Sequence, residues 1–207
     1  MELIQDTADL SAYLAADEVI DHGHRVVRTT AARLAEDVAD SYAYARAAYE
    51  FVRDAIPHSA DTDDPRVTWR ASDVLTLRTG ICHAKAHALA ALLRAEDIPT
   101  ALCYQRLTRD DGGGHVLHGL VAVRLDGAWR RQDPRGNRPG VDARFSLDGE
   151  RLAWIPDPAS QEVDHPVLYA APHPAVVGAL RAARDRAHLW RTLPGGPADG
   201  AALRGLP

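Results

Sequence analysis

Between Thr30 and Ile56 the apolar residues recur at helical spacing. Leu34, Val38, Tyr42, Ala45, Tyr49 and Val52 form one stripe, the mark of helix with one face on a core. Helix is expected over residues 1–56 as a whole, ended by Pro57, which has no N–H to donate. The next stretch, HSADTDDPRVTW, carries Asp63, Asp64 and Pro65 as turn residues and predicts a loop.

In ASDVLTLRTG the pair Ser72–Asp73 is a start signal for a short helix, closed by Gly80. A second helix is predicted from Cys82 to Ala95, stopped by Pro99. It is apolar nearly all round from Ala88 to Leu93, which places it deep in the core. Cys82, Ala86, Leu89 and Leu93 share one face. His83, His87 and Arg94 share another, expected to be wetter.

The period then changes to two. TALCYQRL, HVLHGLVAVRL and AWRRQD predict strands, the first two joined by the glycine-rich TRDDGGGH and the last two by Asp126–Gly127. An Asp-Gly pair between strand-like runs is a strong hairpin signal. After Asp133 the chain turns irregular, and a last helix is expected over Pro174–Trp190. The pattern as a whole predicts an α+β fold, with N-terminal helices and a central cysteine-bearing helix packed on an antiparallel sheet. It predicts one domain over residues 1–192 and a flexible tail over 193–207.

Composition narrows the function. The net charge of −5 offers no basic excess for nucleic acid or an anionic membrane. The N-terminus lacks the basic-then-apolar order of a signal peptide, and the longest apolar run is far too short to cross a bilayer. A soluble, cytoplasmic protein is expected. Two cysteines make a poor disulfide framework, so both are expected as free thiols, with Cys103 a buried strand residue.

Cys82 is the candidate for chemistry. It opens a buried helix, where unpaired N–H groups and the positive dipole end favour an anion. Its own amide is placed to donate to a developing oxyanion. A cysteine nucleophile needs a base, and the base needs an orienting group. A two-residue turn at Asp126–Gly127 pairs Leu125 with Ala128, so Asp133 faces Leu120. His118 shares that face as a diagonal neighbour, within reach of a His–carboxylate hydrogen bond. Geometry alone leaves two readings open: a Cys82–His118–Asp133 site, or an inert helix-start thiol beside an unrelated pair.

Other motifs point less sharply. HAKAH spaces His83 and His87 like two metal ligands, but the glutamate of an HExxH site is absent and no third ligand is evident. The loop DDGGGH joins strands and lacks the Lys-Ser/Thr of a phosphate loop; it is a candidate flap over the cleft. In DPRGNRP, Arg135 and Asn137 are candidate substrate contacts.

At these residues the sequence resembles the transglutaminase-like superfamily, its prokaryotic branch in particular. GICHAKAHALAALLRAEDIPTALCYQRL resembles the family's cysteine helix and following strand, and HGLVAVRLDGAWRRQDPRGN its histidine strand, turn and aspartate strand. The resemblance implies a papain-like core with Cys82 as nucleophile, His118 as general acid–base and Asp133 as orienting carboxylate. It implies acyl transfer through a thioester on a peptide or other amide-containing substrate, to water or to an amine acceptor, without metal or organic cofactor. Gln105 and Trp69 are the candidates for a side-chain oxyanion donor. Ile81 departs from the polar residue expected before the cysteine. Two other classes stay in view: a non-catalytic peptide-binding module on the same fold, and a metal-dependent hydrolase using His83 and His87.

Overall fold

A computed structural model describes residues 1–196 of the 207. The elements run β1 (Ile4–Gln5), a 3-10 turn (Leu10–Tyr13), α1 (Arg25–Ala35), α2 (Ser41–Ala55), α3 (Ala71–Leu77), α4 (Cys82–Arg94), β2 (Thr100–Thr108), β3 (His115–Leu125), β4 (Ala128–Gln132), a 3-10 turn (Pro158–Ser160), β5 (Val163–Asp164), β6 (Val167–Leu168), α5 (Pro174–Ala182) and α6 (Arg186–Thr192). The larger sheet is antiparallel, ordered β4-β3-β2-β5, and β1 pairs with β6 in parallel. The architecture is the α+β arrangement expected.

The Asp-Gly turn sets the register as predicted. Asp126 and Gly127 both have positive φ, 50° and 77°, the backbone of a hairpin turn that matches strand twist. Leu125 pairs with Ala128 and Val121 with Gln132. Alternation then divides the sheet. Leu102, Tyr104, Leu117, Val121 and Val123 join the main core with the helices. Ala101, Cys103, Leu120 and Ala122 pack on the other face with Tyr13 and Leu168. Cys103 is therefore a fully buried strand residue, on the sheet face away from the helical core.

Four expectations are corrected. Residues 1–24 are not helical beyond one 3-10 turn: Asp9 caps that turn, and the Asp17 carboxylate accepts from the Val19 and Ile20 amides at 2.7 and 2.6 Å, local bonds that compete with helix. α3 starts at Ala71, with the Ser72 amide held by Asp21 at 3.0 Å, and ends at a left-handed Arg78. Gly80 serves close approach instead, since a Cβ there would lie 3.0 Å from Ala84 Cβ and Thr68 Oγ1. The last helix is two, broken at Asp185, which caps α6 through the His188 amide at 2.6 Å. Finally, α4 has no wet face: every residue from Cys82 to Arg94 is buried.

At the C-terminal end Leu193 is buried, and the Pro194 carbonyl accepts from the Leu117 amide at 2.9 Å. Those residues of the expected tail pack on the domain, and residues 197–207 lie outside the described residues. Among the described residues no helix is long and apolar enough to cross a membrane.

Candidate active site

α4 sits directly against β3. A Cβ on Gly119 would run into His83 Nδ1 and lie 3.1 Å from the His83 Cα, so glycine is what lets helix and strand approach here. β4 ends at Gln132 opposite Val121, and among the described residues no strand pairs with the β3 edge beyond it. Cys82 is the first residue of α4, and the Gly119 amide of β3 is among the groups that lower its thiol. The cap residue of α4, Ile81, makes no side-chain cap bond to its first amides.

His118 lies beside the thiol. Its Nε2 is 2.8 Å from Asp133 Oδ2, and its ring shares the cleft with Cys82. With Nε2 engaged by the carboxylate, Nδ1 is the nitrogen left for the sulfur. Asp133 is wholly buried. Its Oδ1 accepts from the Arg135 amide and its Oδ2 also from the Ala153 amide, each at 3.1 Å, while Tyr49 donates to its carbonyl at 2.9 Å. The Trp154 ring stacks on His118, with centroids 6.0 Å apart and 13° between planes.

The charges of the three groups support one another. Burial pushes the Cys82 thiol up, but the His118 charge and hydrogen bond and the Gly119 amide outweigh it and hold the thiol below its ordinary range. Burial pushes the His118 ring down, and Asp133 and Cys82 reverse that, so it is raised. Asp133 is raised by burial and brought below its usual range by His118 and the two amides. These shifts favour a thiolate–imidazolium pair stabilised by a fixed carboxylate. Cys103 has no such partner, and burial pushes its thiol far up.

The model of the transglutaminase-like superfamily matches residues 28–134, just over half of the chain. The chain belongs to the transglutaminase-like superfamily. The match runs from α1 to the residue after Asp133 and so contains Cys82, His118 and Asp133. Among solved structures, a candidate cysteine protease from Cytophaga hutchinsonii is similar at 18% identity and a TM-score of 0.53, covering 62% of this chain and 43% of that one. The periplasmic domain of TgpA from Pseudomonas aeruginosa is similar at 23% identity and a TM-score of 0.46, covering 62% and 48%. The matched region spans less than half of either protein. The first likeness supports the papain-like transglutaminase-core fold. No functionally curated protein matches the chain.

The structure separates the other candidates of this superfamily member. The cleft at Cys82 is lined by His58, His118, Arg135, Trp154 and Trp190 among others. Arg135 is there, but its guanidinium is paired with Asp61 at 2.5 and 2.8 Å. Gln105, Trp69 and Asn137 do not line it. Gln105 pairs across the sheet with His118, and its Nε2 donates to Asp164 at 3.3 Å. Trp69 lies between Arg70 and Arg181, whose guanidinium carbons are 4.3 and 5.0 Å from its ring centroid. The Asn137 amide is spent on both backbone groups of Ala143. His83 Nε2 bonds the Leu117 carbonyl at 3.0 Å and His87 Nδ1 the Trp69 carbonyl at 2.9 Å. The start of the glycine-rich loop, Arg109 and Asp110, borders the cleft. Sequence reasoning missed His58 and Trp154. Both come from irregular segments, where no periodicity reports a direction.

Proposed function

We propose that the protein is a cysteine-nucleophile enzyme of acyl transfer on amide, peptide-like substrates. The observation that carries this is a buried imidazole hydrogen-bonded to a carboxylate and sharing one cleft with a helix-start thiol. Membership of a superfamily typified by cysteine-dependent enzymes supports it.

In this reading the Cys82 thiolate attacks the carbonyl carbon. The C–N bond breaks as the His118 imidazolium gives its proton to the leaving amine, and a thioester remains. Water or an amine then attacks the thioester and loses a proton to His118, and the C–S bond breaks to restore the thiolate. Asp133 holds the imidazole tautomer and stabilises the imidazolium. With water the product is an acid, the outcome of a peptidase or amidase; with an amine it is a new amide. A cytoplasmic location would keep both thiols reduced.

Brief iodoacetamide treatment near pH 6, followed by mass spectrometry, tests the reading. Cys82 is expected to be alkylated selectively over Cys103, and the selectivity is expected to vanish in His118→Ala. Equal, slow labelling of both cysteines would overturn it.

A further inference from the structure

The mechanism above leaves one cleft residue without a task. His58 follows α2 in an irregular segment, yet its backbone is pinned: it forms a parallel bridge with Gly80, and the Ser59 amide donates to the Gly80 carbonyl at 3.1 Å. That bridge holds His58 alongside the chain two residues before Cys82. The residue is 4% exposed and lines the cleft together with Cys82 and His118. Its Nδ1 accepts from the Ala60 amide at 3.3 Å, which places the proton of the neutral ring on Nε2. Burial, reinforced by the charges of Arg135, Lys85 and His118, keeps the ring neutral by holding its pKa well below 6.5. His58 is thus a buried, uncharged ring at the cleft, with its N–H on Nε2, and unsuited to act as a second base.

A tetrahedral intermediate formed at Cys82 needs donors for its oxygen. α4 supplies the Cys82 amide, and neither Gln105 nor Trp69 lines the cleft to supply a second. We propose that His58 Nε2–H is the side-chain half of the oxyanion hole, acting with the Cys82 amide on the carbonyl oxygen of the substrate. This rests on the acyl-transfer reading. As the sulfur–carbon bond forms, the carbonyl π pair moves to oxygen, where the two N–H groups hold it. When the pair returns, the leaving group departs.

Two reagents separate this role from a structural one. p-Nitrophenyl acetate acylates the sulfur through a tetrahedral oxyanion and releases p-nitrophenolate. Iodoacetamide alkylates it by displacing iodide from a saturated carbon, with no oxyanion. The full chain would be compared as wild type, His58→Gln, which keeps a donor near Nε2, and His58→Met, which removes it at similar length. His58→Leu replaces the Met variant if urea denaturation shows that variant unfolded. In His58→Met the acylation rate is expected to fall on the order of 100-fold, the usual effect of removing one oxyanion donor, with partial recovery in His58→Gln and alkylation of Cys82 within about threefold of wild type throughout. Acylation equal in wild type and His58→Met, or acylation and alkylation falling together, overturns the proposal. Failure of wild-type Cys82 to alkylate selectively overturns the acyl-transfer reading itself.

Discussion

Gly119→Ala tests how tightly the helix must seat on the strand. Glycine inside a strand is ordinarily a weakness, and alanine would gain about 0.5–1 kcal/mol where there is room. Here there is none. The new methyl runs into His83 Nδ1 and lies 3.1 Å from both His83 Cα and Cε1. The ring cannot swing aside freely, because it is buried and its Nε2 is bonded to the Leu117 carbonyl at 3.0 Å. Overpacking of this kind costs about 1–3 kcal/mol, and a buried polar group stripped of its partner about 1–3 kcal/mol more. The two costs together, less the conformational gain, leave an expected net loss of about 1–5 kcal/mol. Read as the midpoint of urea denaturation, with a slope of about 2 kcal/mol/M, it amounts to a fall of about 0.5–2.5 M. Because the Gly119 amide also helps to lower the Cys82 thiol, the alkylation rate of Cys82 should fall in the same variant. Gly149→Ala is the control, since nothing lies within 4 Å of a Cβ there. A Gly119→Ala protein as stable as wild type, or more so, would refute the close-approach argument.

Three further outcomes follow from the same geometry. Asp133→Asn removes the charge that raises His118 and turns an NH2 toward donors, since both carboxylate oxygens now accept N–H groups; Cys82 alkylation at pH 6 should drop at least tenfold and stability by about 1–3 kcal/mol, and an unchanged alkylation rate would contradict the assigned role. The raised His118 and lowered Cys82 also predict a flattened pH profile, because the thiol is held below its ordinary range and its imidazolium, raised to about 10, persists above pH 8. Alkylation should rise between pH 6 and 8 by much less than the roughly 75-fold that an ordinary thiol of pKa 8.5 would gain, and that steeper profile is the contrary result. Lys85 donates its buried ammonium to the Ile56 and Arg53 carbonyls at the end of α2, and burial lowers its pKa to about 7. The unfolded chain therefore binds the extra proton between pH 7 and 10.5, so wild-type stability relative to Lys85→Met should rise with pH across that window, by at most about 1.4 kcal/mol per unit. Urea denaturation of both proteins at pH 7 and 9 measures it, and a constant difference would show that the ammonium is not desolvated.

What was legible in the sequence were the parts governed by local rules. The Asp-Gly turn fixed the β3–β4 register, and strand alternation then brought His118 and Asp133 together without any long-range knowledge. The run Ala88–Leu93 announced a buried helix, and Cys82 stood at its start. The illegible parts are tertiary. The Ser72 amide finds its acceptor in Asp21, fifty-one residues away. Trp154 reaches His118 from a segment with no strand or helix pattern, and His58 is placed by a single bridge.

The error over α4 shows how the site is held. Its histidines and arginine were expected to face water because polar side chains at helical spacing usually do. Instead each polar head is bonded to a carbonyl from a different part of the chain. His83 takes Leu117 of β3, His87 takes Trp69 before α3, and Lys85 takes Arg53 and Ile56 at the end of α2. Arg94 takes Ala15, Thr100 and Ala170. A purely apolar helix would be free to slide or rotate by small amounts at little cost, because dispersion contacts are non-directional. Hydrogen bonds are directional, and four polar side chains that anchor one helix to its surroundings remove that freedom. The position of the Cys82 sulfur relative to a histidine carried by the sheet is set by those anchors, and preorganisation of that kind is what a nucleophile and its base on separate layers require.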